Sequence, residues 1–424
     1  MTVAESAPRP RVTTSGPRVS TSGHDRVQKP HYLPLDSVRG IAALSVVIHH
    51  VVISKTVIAA FPQKAWIDVP FFHNAWLFVD LFFVLSGMVI SLNYATSDFR
   101  DFSLREFVLR RLARIYPLHL VTLLAMLMLR FARLGLVALG ILAVVPVQTE
   151  VNTGYSFFLN VLLLHSMGFL DHLSWNGPSW SISTEFYTYL LFGVLLLWAQ
   201  RFGSRRLFYA ASVVLVTGSA LLIVVALGKQ SLDFHTDFGF LRCVLSFFIG
   251  VLTVKIASGL PPTSLRVAPS VLQIGALLVA LLIMCLVGSY PALSFAAPFA
   301  FAVLLGSLMA FPAASPLPAL LAVRPLVWLG KRSYSIYMVH AVVLVLAEYA
   351  IRAAGPRPIQ ALDAIADGTA ATLLAALVVA GVLLLSDFTY KYVELKGGKL
   401  LLRILGRDIR SPIAAVSHAG QVRS

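Results

Sequence analysis

The chain has 424 residues, 58% hydrophobic and only 12% charged, with a mean hydropathy of +0.82. That excludes a soluble protein of this size, and repeated apolar runs of about 18 to 22 residues point to a multi-pass helical membrane protein. A net charge of +15 would suggest nucleic acid in a soluble chain, but here the basic residues cluster between apolar runs, the positive-inside pattern, so no nucleic-acid partner is expected. Cys243 and Cys285 both lie in apolar segments, so neither a disulfide framework nor a metal site is expected.

Residues 1–31 are polar, rich in Ser, Thr and Pro, and carry Arg9, Arg11, Arg18, Arg26 and Lys29. They read as a disordered basic cytoplasmic tail without a cleavable signal peptide. With that tail inside, the first span (Leu35–Ile53) runs outward, and the second (Trp76–Tyr94) returns to Arg100, Arg105, Arg110, Arg111 and Arg114. A third leaves from Ile115 to about Leu129. The stretches Leu134–Val147 and Phe157–Leu170 are short for spans. They are either both spans or both outside, because the next span, Trp180–Trp198, ends at Arg201, Arg205 and Arg206. Six more follow at Leu207–Leu227, Phe238–Ile256, Pro269–Val287, Leu293–Phe311, Ser333–Ile351 and Thr369–Ser386. Lys331, Arg332 and the later cluster Lys391, Lys396, Lys399, Arg403, Arg407 and Arg410 then fall inside.

The expected architecture is an all-α bundle of about ten spans with both termini cytoplasmic, and twelve spans satisfy the charges as well. The spans occupy a membrane domain over 32–394, followed by a basic cytoplasmic tail over 395–424. No internal repeat is visible.

Inside the first span, Arg39 and His50 lie eleven residues apart. At about 100° per residue they share nearly one helix face, roughly 16 Å apart along the axis. Ionisable groups in hydrocarbon cost on the order of 3 kcal/mol each even on the mildest scale, so they usually face a cavity. Arg39 is expected near the cytoplasmic mouth with Asp36 one turn before it. His50 is expected close to mid-bilayer, where an imidazole is suited to act as a general base. A histidine bonded to another helix is the plainer alternative, and that is the reading for the adjacent His49.

The stretch Arg105–Pro117 sets Phe107, Val108, Leu109, Leu112 and Ile115 among arginines at helical spacing, the pattern of an amphipathic helix at the cytoplasmic interface. Arg110, Arg111 and Arg114 occupy one face, with forked donors suited to phosphate oxygens; lipid headgroup contact is the plainer use. Farther on, an outside turn at Ser174–Ser179 leads into a span carrying Glu185 roughly 8 to 10 Å below the surface. Because that span runs inward and the first runs outward, Glu185 and His50 are expected to approach the same depth. There a carboxylate would fix the imidazole tautomer and steady the imidazolium; a packing tie is the alternative. Trp180, Tyr187 and Tyr189 fit interface-belt aromatics as well as substrate contacts. Asp80, Arg242 and His340 are further ionisable groups at membrane depth, each alone more often a tie between helices.

These motifs, in this order, resemble the membrane-bound acyltransferase 3 family, enzymes that acylate glycans, lipids and small glycosides. The resemblance rests on Leu35-Asp36-Ser37-Val38-Arg39-Gly40 with His50, and on Phe78 to Gly87 around Asp80. It continues through Arg111-Leu112-Ala113-Arg114-Ile115-Tyr116-Pro117, Pro178-Ser179-Trp180-Ser181 with Glu185, Ser333 to Tyr337, and Tyr390 to Glu394. It covers about Tyr32 to Glu394. Departures are small: Val79 precedes Asp80 where a glycine pair is common nearby, and Leu395-Lys396 follows the last glutamate in place of Lys-Pro. No counterpart of the esterase-like extracytoplasmic domain of some relatives is seen, so transfer is expected to be completed alone or through a partner acyl-handling protein.

The resemblance implies acyl-CoA, typically acetyl-CoA, as donor and no metal. It implies a carbohydrate hydroxyl as acceptor, on a surface polysaccharide or lipid-linked sugar, at the inner (plasma) membrane among its lipids. Under it, Arg110, Arg111 and Arg114 hold the nucleotide phosphates and Arg39 stands at the pantetheine entrance. His50, Glu185 and Arg39 are the catalytic set, and Asp80, Ser179, Trp180 and Tyr187 contact substrate. His50 either deprotonates the acceptor hydroxyl or takes the acyl group first, and both routes stay open. A small glycoside or signalling oligosaccharide is an alternative acceptor. A transporter is the rival from another class, but the paired repeats with broken helices frequent in transporters are not seen.

Overall fold

The computed structural model describes residues 32–405 apart from 62–64, 96–101, 143–150, 260–267, 313–314, 356–358, 362–363 and 365–367. The expected tail 1–31 and the stretch 406–424 lie outside the described residues. Among the described residues the regular structure is helical, without a strand. Ten helices among the described residues are long and apolar enough to cross a membrane: α1 (Leu33–Val52), α2 (Ala75–Tyr94), α3 (Leu104–Ala138), α4 (Gly177–Arg201), α5 (Arg205–Ala226), α6 (Gly239–Ala257), α7 (Pro269–Leu286), α8 (Pro291–Ala310), α9 (Arg324–Ala354) and α10 (Thr369–Ile404). Helices suit hydrocarbon because they satisfy their backbone N–H and C=O groups within the segment.

The two weak stretches do not add spans among the described residues. The first part of Leu134–Val147 is the end of α3, and its last part lies outside the described residues. Phe157–Leu170 is divided between a short helix, Gly154–Val161, and a string of turns. Thr153 and Ser156 close the start of that helix with a reciprocal capping box. Its 8 residues rise only about 12 Å, less than half a bilayer core.

Two boundaries differ from expectation. The arginine-bearing stretch and the third span are one helix of 35 residues, opened by Ser103, whose side chain accepts from the Glu106 N–H. Pro117 lies inside it. Proline takes away the donor that the Ala113 carbonyl would otherwise receive. Gly398 of α10 packs against that carbonyl, so closely that a methyl there would stand 2.7 Å from it. The last helix also runs past its expected end: a π-helical turn over Tyr390–Leu395 leads into Lys396–Ile404, so the start of the basic tail is helical. Such turns recur at functional sites.

Contacts fix the helix directions. Arg39 meets Gly330, His50 meets His340 and Ser54 meets Glu348, so α1 and α9 run parallel. Ile115 with Tyr334 and Leu129 with Tyr349 make α3 parallel to both. In the opposite direction run α4, through Phe107–Phe192 and Thr122–Asn176, and then α6, through Thr188–Cys243, and α2, through Asp80–Arg242. Val343–Gly381 and Ser335–Glu394 make α10 antiparallel to α9. This alternation is what the spacing of basic clusters predicts.

Two glycine pairs let helices touch backbone to backbone. Gly87 of α2 faces the Phe247 carbonyl of α6, while Gly250 of α6 faces the Val84 carbonyl of α2. Gly40 of α1 and Gly330 of α9 do the same beside Arg39. A side chain at Gly87 must push α2 from α6, so Gly87→Ala is expected to cost about 1–3 kcal/mol of stability. A lowered unfolding midpoint in detergent is the check, and a midpoint equal to wild type would refute the close contact.

Candidate active site

An open cleft of about 480 Å³ lies among α1, α2, α3, α4 and α9. Its lining is part polar, with Arg39, Arg114, Glu185, Ser181 and Ser333, and part apolar, with Val79, Phe82, Phe83 and Ile182, together with Tyr334 and Tyr337.

The arginines of the basic stretch do not act as one group. Arg110 is held by Glu106 one turn away, at 3.1 and 2.5 Å. Arg111 lies over the rings of Phe107 and Tyr189, 6.0 and 5.9 Å from their centroids. Arg114 alone of the three lines the cleft, paired through Nη1 to Glu394 and stacked 5.2 Å over Tyr334. Glu394 is fixed in turn by the Ser335 hydroxyl at 2.8 Å. The Arg114 side chain is 31% exposed and that of Glu394 3%, so the pair is anchored from behind while guanidinium donors stay open. Arg39 is set similarly: Nη2 donates to the Gly330 carbonyl at 3.0 Å and lies 3.2 Å from Asp36. Two pre-oriented forks thus stand at the cleft, which is geometry suited to an anionic group.

His50 occupies the last turn of α1, nearer the helix end than its middle. Its Nδ1 lies 2.9 Å from the Val46 carbonyl. A carbonyl only accepts, so Nδ1 carries the hydrogen and Nε2 carries the lone pair. That is the form a base or nucleophile requires. The His50 ring packs 4.7 Å from that of His340, tilted by 55°, and 5.1 Å from that of His49. His49 points away and meets the Phe72 carbonyl at 3.0 Å. His235 belongs to the loop before α6, and burial first, then Arg242, push it down to about 3, so it is neutral.

Glu185 does not meet His50. It accepts from Tyr189 at 2.5 Å, and that hydroxyl also lies 2.8 Å from Ser86. The reason is axial offset. Ser181 already reaches the level of Tyr337, whose hydroxyl it meets at 2.9 Å. Tyr337 is three residues short of His340, and Glu185 is a further turn along, which together amount to roughly 10 Å. Among the described residues no carboxylate lies within hydrogen-bond reach of His50. Glu185 instead shares the cleft with Arg39 and Arg114.

Of the remaining expected contacts, Asp80, Ser179 and Trp180 are buried in the interior and Tyr187 is partly exposed. Asp80 is paired with Arg242, both fully buried, with oxygen–nitrogen distances of 2.7, 3.1 and 3.2 Å and a further bond of 3.0 Å from Ser246. Trp76 and Trp180 sandwich the guanidinium at 5.1 and 5.3 Å, which accounts for the burial of Trp180. Ser179 is buried with its hydroxyl 3.2 Å from His165, and Tyr187 donates to the Leu162 carbonyl at 3.2 Å. None of these four lines the cleft, as neighbouring helices consume their polar groups. Among the described residues no group of three or more metal-ligating side chains converges.

Two participants stand out that sequence reasoning had not placed. Glu394 anchors Arg114 from 280 residues away, and only its place in the final motif hinted at a role. Tyr337 lines the cleft and also packs 5.7 Å from His340, joining cleft to histidines.

The model of an acyltransferase domain, that of the acyltransferase 3 family, matches residues 33–391. The O-acetyltransferase OatA of Staphylococcus aureus is 26% identical over 339 residues, 76% of this chain and 52% of that protein. A putative peptidoglycan O-acetyltransferase of Bacillus subtilis, YrhL, is 24% identical over 343 residues, 76% of this chain and 50% of that protein. The chain therefore spans about half the length of these relatives. No solved structure matches. With the match running through every helix of the cleft, the chain belongs to the acyltransferase 3 family.

Proposed function

We propose that this protein is an O-acetyltransferase of the inner (plasma) membrane that moves an acetyl group from acetyl-CoA to a hydroxyl of a cell-envelope glycan. The observation that carries the reading is the pair of pre-oriented arginines, Arg39 and Arg114, in a cleft also lined by Tyr337, whose ring packs 5.7 Å from that of His340, itself 4.7 Å from His50. Phosphates of the donor bind at Arg114 and Arg39, and the pantetheine arm follows the apolar lining of Phe82, Phe83 and Ile182 toward Tyr337. The name of the Bacillus subtilis relative, a putative peptidoglycan O-acetyltransferase, supports a peptidoglycan-type acceptor.

At His50, one lone pair serves either route. In direct transfer, Nε2 takes the proton from the acceptor hydroxyl as its oxygen attacks the thioester carbonyl. The carbon–sulfur bond breaks, and the departing thiolate recovers the proton. In the two-step route Nε2 attacks the carbonyl first and the carbon–sulfur bond breaks to release thiolate; the acceptor oxygen then bonds to the acyl carbon as the carbon–nitrogen bond breaks, and its proton passes by way of the freed Nε2 to the thiolate. Both routes need the acyl group to pass Tyr337, whose hydroxyl is held by the Pro178 carbonyl at 2.9 Å. Glu185 acts at the donor end, ordering Tyr189 beside the arginines.

Acetyl-CoA binding by the full chain in detergent tests the reading. A charged hydrogen bond is worth about 1.5–3 kcal/mol, so Arg114→Ala is expected to weaken binding about 10- to 100-fold. Arg110→Ala, whose guanidinium is taken by Glu106, is expected to leave it within threefold. Absence of binding to wild type, or equal effects of the two substitutions, would overturn the assignment.

A further inference from the structure

His340 presents a buried lone pair that nothing in the fold satisfies. It sits in α9 at 1% exposure, with Nδ1 2.5 Å from the Tyr337 carbonyl. That bond places the hydrogen on Nδ1 and leaves the lone pair on Nε2. Nε2 is fully buried without a hydrogen-bond partner. Orphaned buried polar atoms are rare enough that each one calls for a cause. His119 and His165 also keep a buried nitrogen without a partner, so the orphaned atom alone does not single out His340. Here the unsatisfied edge belongs to the ring packed 4.7 Å from His50. Both imidazoles are therefore in the same tautomer, each with its lone pair on Nε2, and two such neighbouring rings can share a single added proton.

His49 stands 5.1 Å from His50, so the pair lies in a cluster of three imidazoles. One proton can be held between the two rings, and a second would face the first across 4.7 Å.

We propose that His340 is the positioning partner of His50. When His50 takes the proton of the acceptor hydroxyl, His340 Nε2 accepts a hydrogen bond from the imidazolium, so the two rings share one proton during transfer. The step balances: the O–H bond of the acceptor breaks as the N–H bond forms, the oxygen bonds to the acyl carbon, the carbon–sulfur bond breaks, and the thiolate takes the shared proton to leave as thiol. This rests on the reading of His50 given above.

Glutamine and methionine match in size, and only glutamine offers an acceptor oxygen. The full chain in detergent would be assayed with acetyl-CoA and solubilised peptidoglycan fragments, comparing His340→Gln, His340→Met and His50→Ala. The expected result is a kcat at least 50-fold lower for His340→Met, with the acetyl-CoA KM within twofold of wild type. His340→Gln should recover at least tenfold of that loss at a similar unfolding midpoint. Equal kcat for His340→Gln and His340→Met, whether both high or both low, would overturn the pairing. If His50→Ala is inactive in that case, the reading of His50 stands and only the partnership falls. A wild-type protein that transfers nothing, or an active His50→Ala, would overturn both.

Discussion

His50→Ala in the purified full chain is expected to lower kcat for acetyl transfer by about 1,000-fold, within the range over which a positioned base contributes. The magnitude follows from the geometry of one nitrogen. Nδ1 is committed to the Val46 carbonyl, so the ring cannot turn without losing that bond, and Nε2 is left as the reacting atom. Alanine removes it together with the ring that packs against His340. Donor affinity should be spared, because Arg39 lies eleven residues earlier on the same helix, roughly 16 Å away. The signature is thus a collapse of kcat with the acetyl-CoA Kd within about threefold of wild type. A variant that loses donor binding and turnover together would show that His50 is a packing residue.

The second large effect is on stability. Asp80→Ala is expected to destabilise the protein by about 3–5 kcal/mol, because it leaves Arg242 charged and dry between Trp76 and Trp180. The ion pair itself needs no such value, since taking two charges out of water is nearly as costly as their attraction is favourable. Asp80→Leu combined with Arg242→Met should therefore recover most of the loss. The Arg110–Glu106 pair provides the contrast: both side chains are partly exposed, and Arg110→Ala should cost under about 1 kcal/mol. Unfolding midpoints in one detergent compare the three. Equal losses for Asp80→Ala and Arg110→Ala would contradict the buried-pair account.

The positions of the spans were readable because each is a run of apolar residues bounded by charge, and that information is local. Leu33–Val52 and Pro269–Leu286 differ from their expected limits by a residue or two. The helix Leu104–Ala138 was cut short in the sequence reading because its first turns carry arginines, while helix propensity and the Ser103 cap continue through them. Face and depth along one helix were only partly accessible: Arg39 and Arg114 reach one cleft, whereas Arg110 and Arg111 do not line it and His50 lies in the last turn of its helix. Lateral neighbours were not. The Asp80–Arg242 and Arg114–Glu394 pairs join residues 162 and 280 apart in the chain, and hydrophobic periodicity says nothing about which span packs on which. The expected meeting of Glu185 with His50 failed for the same reason: opposite directions of travel permit a common depth, but the level at which Ser181 docks on Tyr337 decides it.

The most direct measurement is mass spectrometry of base-labile acetyl groups on the envelope glycan of cells lacking the gene and complemented in turn with wild type, His50→Ala and Arg114→Ala. The account predicts that deletion removes a set of O-acetyl groups, that wild type restores them, and that His50→Ala, present in the membrane at the same level, does not. Glycan acetylation unchanged by deletion, or restored equally by His50→Ala, would contradict it.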